Sequence, residues 1–228
     1  MFMAMEKKPQ ASFLQSDIFP EGAQYFERQA QQYREIMMRY QCAILEMKTK
    51  LEVLNNDFSV RYSRNPIEFV KTRLKEPRSI VEKMHRYGLE LTIENMMEQV
   101  DDVAGVRVVC SYIDDIYQIS KMLTCQDDIR LLEVRDCIQN PKPSGYRSYH
   151  MTVQIPVFFA DHAMPIKVEI QIRTIAMDFW ASLEHELHYK KELHDSDLIV
   201  QELRSCSDSI HELDCRMKEI RDKINRES

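Results

Sequence analysis

The segment Ile166–Arg173, with the sequence IKVEIQIR, decides the fold class. Apolar and polar side chains alternate from Val168 to Arg173, and a period of two is typical of a β-strand with one face in the core and the other wet. The polar face carries Glu169, Gln171 and Arg173. This face could line a cleft or form a solvated outer surface, and both alternatives stay open on alternation alone.

Three more strand-like runs lie upstream of this segment. They are VRVVCSY at 106–112, RLLEVR at 130–135 and YHMTVQIPV at 149–157. Helical or turn-like stretches separate them, and Thr174 is placed to cap a helix directly after the last strand. We therefore predict an α+β domain in which helices flank an open sheet.

Long helices with narrow apolar seams are predicted at both ends of the chain. Apolar or aromatic residues recur in steps of four and three from Tyr33 to Phe58, and again from Ile199 to Ile224. Such seams pack on each other, on the domain or across a subunit boundary, and they favour a homo-oligomer. The predicted divisions are an N-terminal tail and helical arm (1–60), a central domain (61–192) and a C-terminal helix (193–228).

Composition narrows the class of function. The 228 residues carry a net charge of -6, are 44% hydrophobic and include only four glycines. These glycines are too scattered to form a Rossmann or P-loop phosphate cradle, so side chains would have to hold any phosphate groups. No apolar run approaches the roughly 20 residues that span a bilayer, and the N-terminus lacks a secretory signal, which predicts a cytoplasmic protein with no membrane partner.

Charge is unevenly distributed along the chain. Residues 61–87 contain eight Lys or Arg against three acidic residues, a net +5 that leaves -11 for the remainder. This pattern suggests a bound polyanion of small footprint, because the acidic remainder would repel a long nucleic acid. No stable nucleic-acid partner is expected. A solvated basic helix face is the alternative interpretation.

The basic segment also contains helix signals. Asn65, Pro66 and Glu68 predict the start of a short helix. Pro77 biases the preceding residue towards an extended conformation, so a second helix is predicted from Pro77 to about Gly88.

This second helix offers a phosphate site that needs no glycine loop. Arg73 and Lys75 precede it in a stretch predicted to be extended, and its first turns carry Ser79 and Lys83. The N-terminus of a helix attracts anions, and these side chains add donors and positive charge.

Two separate segments supply carboxylates that could hold a metal ion. Asp101 and Asp102 lie just ahead of the strand at 106–112, and Glu169 lies within the last strand. Oxygen ligands of this kind suit Mg²⁺, which takes one or two carboxylates together with substrate phosphates. An Asp-Asp pair before a strand is also an ordinary turn signal.

The loop KPSGYRS at 142–148 combines cations, a turn and an aromatic ring. A base could stack on Tyr146 while the cations meet phosphates. A plain hairpin connection with an exposed tyrosine is the alternative.

Two histidine patterns are weak metal motifs. His185-Glu186-Leu187-His188 resembles the H-E-x-x-H motif but is one residue short. His211 and Cys215 lie four residues apart and provide half of a zinc site at most.

Three motifs together resemble the synthetase domain of RelA/SpoT-type alarmone enzymes. They are DVAGVRVVCSYIDDIY (102–117), KPSGYRSYH (142–150) and VEIQIRTIAMDFWASLEHELHYK (168–190). The resemblance extends from about Asn65 to Lys191 and, with the flanking helices, fits the single-domain small alarmone synthetases, closest to the RelP subtype with RelQ as the alternative.

The resemblance implies a nucleotidyltransferase-like mixed sheet with long helices at both ends, and it makes 61–192 the catalytic domain. The implied reaction transfers pyrophosphate from ATP to the 3′-hydroxyl of GDP or GTP, giving ppGpp or pppGpp and AMP in the stringent response. A homotetramer is implied as well. The alternatives are another template-free nucleotidyltransferase, or a non-enzymatic RNA-binding or scaffold protein.

Residue roles carried over from the resemblance concern two nucleotides and one ion. For ATP, the expected residues are Arg73 and Arg107 around adenine, and Lys75, Ser79 and Lys83 on the phosphates. For Mg²⁺ they are Asp102 and Glu169, the latter also assisting deprotonation of the acceptor hydroxyl. For GDP or GTP they are Tyr146 stacked on guanine, Arg135, Lys142 and His150 near the phosphates, and Gln171 nearby. Asp178 stands where some relatives have Asn, so a guanine contact at this position is not carried over.

Overall fold

The computed structural model describes residues 20–62, 64–189 and 196–227, so the predicted tail before residue 20 lies outside it. The elements are α1 (Pro20–Tyr62), β1 (Ile67–Leu74), α2 (Pro77–Arg86), α3 (Ile93–Gln99), β2 (Ala104–Cys110), α4 (Ile113–Thr124), β3 (Arg130–Asp136), β4 (Tyr149–Phe158), β5 (Ala163–Thr174), α5 (Ile175–Tyr189) and α6 (Ser196–Glu227). Residues up to Ile36 and residues from Met37 onward form two compact units. In its described part, the first unit is the beginning of α1.

The second unit is built around a five-stranded sheet in the order β1-β2-β5-β4-β3. β2 and β5 are parallel, whereas the β1–β2, β5–β4 and β4–β3 pairs are antiparallel. The mixed sheet with its flanking helices confirms the predicted α+β fold class.

The alternation predicted for β5 separates two faces of the sheet. Val168, Ile170 and Ile172 are fully buried, and they pair in register with apolar residues of β2 and β4. α4 covers this face with its buried residues Ile116 and Ile119. The opposite face is therefore the one that carries the polar side chains of the central strands.

The seam predicted for α1 is a packing surface from Met37 onward. Tyr40, Ile44, Met47, Leu51 and Phe58 are all buried. Polar contacts fix the same stretch to the domain: Lys50 pairs with Asp128 at 2.6 Å, and the Asn55 side chain accepts a hydrogen bond from the Ile67 amide.

The predicted short helix after Asn65 is wrong, because β1 begins at Ile67. Asn-Pro is a local signal, and here pairing with β2 overrides it: Ile67 lies opposite Cys110, with a register shift before Phe69. The second predicted helix is confirmed as α2, which starts at Pro77.

The seam predicted for α6 is helical, with Ile199, Leu203 and Ile210 half-buried, but its C-terminal part lies on the outer side of the helix. Leu213, Met217, Ile220 and Ile224 are 47–58% exposed, whereas Ser207 and Asp214 are buried. The buried face of α6 therefore includes small polar residues, and the C-terminal part of its apolar stripe is exposed in the single chain.

Candidate active site

A row of polar residues crosses the whole sheet. Lys71 of β1 pairs with Arg107 of β2, which pairs with Gln171 of β5, then His150 of β4 and Arg135 of β3. Paired residues project from the same face, so five separate strands contribute to one polar surface.

The next row of the same face runs through Arg73, Gly105, Glu169 and Thr152. Gly105 brings no side chain to this row, and a cavity of about 310 Å³ opens here. We call it the β1–β2 cavity; its lining includes Lys71, Arg73, Gly105, Arg107, Glu169 and Gln171.

A second cavity, of about 580 Å³, adjoins the first and shares Arg73, Arg107 and Gln171 with it. We call it the loop–α5 cavity, since residues of the 142–148 loop and of α5 complete its wall. Its other polar lining residues include Lys142, Ser144, Tyr146, His150, Arg173, Ser182, Glu184 and His185. The sheet face thus carries two neighbouring compartments, which supports the cleft alternative left open by alternation.

Asp102 is the centre of a cation cluster beside the β1–β2 cavity. One of its oxygens accepts from Lys75 Nζ at 2.6 Å and the other from Lys83 Nζ at 2.8 Å, while Arg73 Nη2 lies 3.9 Å away. Burial opposes ionisation of this carboxyl, but the two ammonium groups outweigh it, and the pKa of Asp102 is lowered. A carboxylate from the turn before β2 thereby holds two cations, one directly after β1 and one in α2.

Glu169 lies on β5 and is 8% exposed. His150 Nδ1 lies 3.4 Å from one of its oxygens, and Gln171 Nε2 donates to the other at 3.0 Å. Burial and the negative charge of Asp102 both act to raise the pKa of Glu169. The hydrogen bonds from His150 and Gln171 outweigh them, and the pKa is lowered. The two carboxylates are therefore near enough for their charges to interact, and both are ionised at neutral pH.

Tyr146 is held between the loop and the sheet. Its hydroxyl lies 3.0 Å from His150 Nε2 and accepts from Arg173 Nη2 at 2.6 Å. Lys142 Nζ lies 4.8 Å from the ring centroid, and the Arg173 guanidinium lies 5.1 Å from it. The ring that sequence analysis proposed for base stacking is thus fixed at its hydroxyl end and surrounded by positive charge.

Sequence reasoning assigned no role to Arg173 and left Asp178 open, yet both are central to the site. Arg173 is 4% exposed and donates to Asp178 at 3.2 Å, and Arg107 donates to the same Asp178 oxygen at 3.2 Å. A signal for Arg173 did exist, because it shares the polar face of β5 with Glu169 and Gln171. Asp178 compensates the charge of two guanidinium groups, Arg107, which lines both compartments, and Arg173, which lines the loop–α5 cavity.

Burial and the neighbouring Arg173 lower the pKa of Arg107. Its Nε is buried and has no hydrogen-bond partner among the described residues.

Five predicted residues are absent from the cavity linings: Asp102, Lys75 and Lys83, which form the cluster beside the β1–β2 cavity, and Ser79 and Arg135. Ser79 is half-buried near the start of α2, and Arg135 is paired with Glu133 at 3.4 Å on the outermost strand. Neither contributes to the walls of the two cavities.

The chemistry of Asp102 and Glu169 fits a Mg²⁺ site. Asp102 and Glu169 are both ionised and electrostatically coupled, and two carboxylates completed by substrate phosphates form a donor set that suits Mg²⁺. Among the described residues there is no cluster of three or more His, Cys, Asp or Glu that could hold an ion without such help.

The weak zinc motifs gain no third ligand among the described residues. On α6, His211 Nε2 lies 3.8 Å from Cys215 Sγ. His185 lines the loop–α5 cavity, whereas the side chain of His188 lies outside the described part.

None of the described helices is long and apolar enough to cross a membrane.

The fold and this polar face define a class of α+β protein in which two carboxylates and several cations lie at two adjoining compartments. A family profile described as "Region found in RelA / SpoT proteins" matches residues 72–194. This is more than half of the chain, and the protein belongs to the RelA/SpoT family, as its three motifs predicted.

Close relatives cover almost the whole chain. GTP pyrophosphokinase YwaC of Bacillus subtilis is 40% identical over 83% of this chain and 90% of its own. The structure of small alarmone synthetase 2 from B. subtilis has a TM-score of 0.76 at 38% identity, over 84% of this chain and 99% of that one. The structure of small alarmone synthetase 1 from the same organism, bound to its product pppGpp, has a TM-score of 0.77 at 36% identity. The match covers 85% of this chain and 98% of that one. The chain thus resembles the small synthetases over their full length.

Proposed function

We propose that this protein transfers pyrophosphate from ATP to the 3′-hydroxyl of GDP or GTP, making ppGpp or pppGpp and AMP. The observation that carries the proposal is the pair of adjoining cavities on one polar sheet face, with shared Arg73, Arg107 and Gln171 between them. A transfer between two nucleotides requires two sites side by side, and relatives named GTP pyrophosphokinase match most of the chain.

The β1–β2 cavity is the proposed donor site. Arg73 and Arg107 line it and would clamp the adenine, while Lys75, Ser79 and Lys83 would bind the phosphates. Lys75 and Lys83 are held by Asp102, so an incoming phosphate could take over their positive charge without any change of fold.

The loop–α5 cavity is the proposed acceptor site. Tyr146 would stack on guanine, with Lys142, His150 and Arg135 towards the acceptor phosphates and Gln171 nearby. Stacking fixes the plane of the base and the cations fix the phosphates, so the 3′-hydroxyl is oriented towards the donor.

The reaction itself is an in-line displacement at the β-phosphorus of ATP. The 3′-oxygen forms a bond to this phosphorus, the bond to the bridging oxygen breaks, and AMP leaves with that oxygen. Glu169 would accept the hydroxyl proton, since it lies in the wall of the donor cavity and contacts His150 of the acceptor cavity. Lys75, Lys83 and Arg73 would stabilise the charge that develops on the phosphate oxygens.

Asp102 and Glu169 are the proposed Mg²⁺ ligands. When bound there, the ion supplies a positive charge that offsets negative charge on the transferred phosphates.

Assembly and location follow as further proposals. The exposed apolar stripe of α6 supports a homo-oligomer, for which we propose a tetramer. A cytoplasmic location fits an enzyme that uses ATP and GTP, and no stable nucleic-acid or membrane partner is proposed. The RelP subtype stays a prediction.

One incubation tests the proposed reaction. The purified protein is mixed with Mg²⁺ and ATP, together with GDP, GTP or GMP in separate reactions, and the nucleotides are resolved by anion-exchange chromatography. The expected result is AMP in equal amount to ppGpp or pppGpp. Release of free pyrophosphate with an NMP-extended product would indicate the template-free nucleotidyltransferase instead. RNA binding without consumption of ATP would indicate the non-enzymatic alternative.

A further inference from the structure

The C-terminal helix α6 holds the loop that carries Tyr146. We call Lys142–Ser148 the acceptor loop. The Ser207 hydroxyl donates to the Gly145 carbonyl oxygen at 2.5 Å, and Arg147 Nη2 donates to Asp208 Oδ1 at 2.8 Å. Two consecutive residues of α6 therefore form hydrogen bonds with the loop residues on either side of Tyr146.

Ser207 is directed at the loop and not at its own helix. It is 3% exposed, and its hydroxyl bonds to Gly145, 62 positions away along the chain. Ser209, two residues further on, instead bonds to the Ser205 carbonyl of the preceding turn, which is the usual arrangement for a helical serine.

The backbone of the acceptor loop lies directly against α6. Gly145 has a φ of +90°, and a Cβ added there would lie 2.7 Å from Ser207 Cβ and 3.0 Å from Arg204 Cα. Only glycine combines this backbone conformation with such a close approach.

Contacts from the sheet fix the other end of Tyr146. Its hydroxyl is held by His150 and Arg173, whereas residues 145 and 147, which flank it, are held by α6. The ring orientation is thus set from two sides.

α6 contacts α5 as well: Trp180 Nε1 donates to the Leu203 carbonyl at 3.0 Å, and Thr174, which caps α5, donates to Asp214 at 2.6 Å. Two walls of the acceptor cavity therefore depend on this helix.

We propose that Ser207 and Asp208 are positioning residues for the acceptor nucleotide, acting through the acceptor loop. This inference rests on the proposed function and assigns a substrate-specific role to a helix outside the predicted catalytic domain. The donor cavity is lined by residues of β1, β2 and β5. Loosening α6 from the loop should therefore weaken use of GDP or GTP and leave use of ATP unchanged.

The test uses the full chain and the single changes Ser207→Ala and Asp208→Ala, with Ser209→Ala as the matched control on the same helix. KM is measured for GDP or GTP at saturating ATP, and for ATP at saturating acceptor. We expect each change to raise the acceptor KM about 5-fold, the scale of one lost hydrogen bond, and to leave the ATP KM within about 2-fold. Ser209→Ala should match the wild type in both.

A conservative variant separates positioning from general support. Asp208→Asn keeps an oxygen that can accept from Arg147, so it should recover most of the acceptor affinity lost in Asp208→Ala. The Asp208 side chain is 53% exposed, so its replacement does not threaten folding and keeps the test decisive if Ser207→Ala does not fold.

Direct binding gives a second readout. Trp180 is the single tryptophan of the chain, and its ring lies 6.5 Å from that of Tyr146. Its fluorescence can be titrated with GDP, and the dissociation constant should rise in both Ala variants.

Two failures can be told apart. If the wild type makes no AMP from ATP and any guanine nucleotide, the proposed function fails, and this inference fails with it. If the wild type is active but both Ala variants keep the wild-type acceptor KM, or shift the ATP KM equally, the inference alone is overturned.

Discussion

The donor and acceptor halves of the site are built in opposite ways. The donor half comes from β1, α2 and β2, with Glu169 and Gln171 of β5 in its wall, and ion pairs around Asp102 hold its cations. The acceptor half joins the 142–148 loop, β5, α5 and α6, and buried hydrogen bonds hold it, such as those between Arg173 and Asp178.

The difference has a functional meaning. Lys75 and Lys83 can exchange Asp102 for another anion, because a charge-assisted contact at a partly exposed site is readily remade. Tyr146 and Arg173 have fixed partners in a packed surrounding, where rearrangement is costly. The donor half is suited to phosphates that arrive and leave, and the acceptor half to one base in one orientation.

The largest expected effect comes from the centre of the donor half. Asp102→Asn removes the charge that organises Lys75 and Lys83 and that we propose binds Mg²⁺, so kcat should fall on the order of 10²- to 10³-fold. Folding should suffer far less than turnover. Steady-state kinetics with a Mg²⁺ titration, together with thermal melting, measure both.

The neighbouring residue provides the control. Asp101 pairs with Lys167 at 2.9 Å and takes no part in the site, so Asp101→Asn should retain wild-type kcat. A wild-type rate and unchanged magnesium dependence in Asp102→Asn would remove Asp102 from the proposed metal site.

The same comparison shows what the sequence can predict. The cations of the donor half could be predicted because they lie close together along the chain. Arg73, Lys75 and Lys83 were connected through one extended segment and one helix N-terminus. Alternation also placed β5 and assigned Glu169 and Gln171 to its polar face. Local patterns suffice where neighbours in sequence are neighbours in space.

The acceptor half depends on contacts that no local pattern contains. Tyr146 was proposed from its loop, but the hold of α6 on that loop joins positions about 60 residues apart. Arg173 had the right alternation, yet its ion pair with Asp178 requires the turn from β5 into α5. The strand order likewise arises from non-local pairing, as does the strand that replaced a predicted helix after Asn65.

The next expected effect concerns stability of the acceptor half. Asp178→Ala would leave Arg173, which is 4% exposed, without its carboxylate, and should lower the free energy of unfolding by about 3 kcal/mol. Urea denaturation measures this change. Asp178→Asn should cost less, because an amide oxygen can still accept from both guanidinium groups.

An exposed pair in the donor half supplies the contrast. Glu82 pairs with Arg78 on the surface of α2, and Glu82→Ala should cost less than about 0.5 kcal/mol. Equal losses for Glu82→Ala and Asp178→Ala would contradict the view that burial makes the Asp178 ion pairs important for stability.

A smaller effect is expected from the stacking ring. Tyr146→Ala should raise the KM for GDP or GTP by about 5- to 150-fold, corresponding to about 1–3 kcal/mol of stacking, with little change for ATP. Tyr146→Phe keeps the ring but loses the contacts to His150 and Arg173, so it should lie between Ala and wild type. Unchanged acceptor KM and kcat in Tyr146→Ala would exclude the ring from the site.

The smallest expected effect compares the two glycines with positive φ, one in each half. Gly88 ends α2 with a φ of +67°, and the amides of Gly88 and Leu89 donate to His85 and Met84 in a Schellman arrangement. No atom would lie within 4 Å of an added Cβ at Gly88, so Gly88→Ala should cost only backbone strain, about 1 kcal/mol of stability.

Kinetic constants for both nucleotides should remain those of the wild type in Gly88→Ala, and Gly88→Asn should be milder still, because Asn tolerates the left-handed region. Thermal melting and steady-state kinetics check both variants. Gly145 differs, since an added Cβ would also collide with Ser207, so Gly145→Ala should raise the acceptor KM in addition to lowering stability. If Gly88→Ala shifted the acceptor KM as much as Gly145→Ala, backbone strain alone would explain the effect at the acceptor loop. The contrast between open space at Gly88 and close packing at Gly145 would then have no functional consequence.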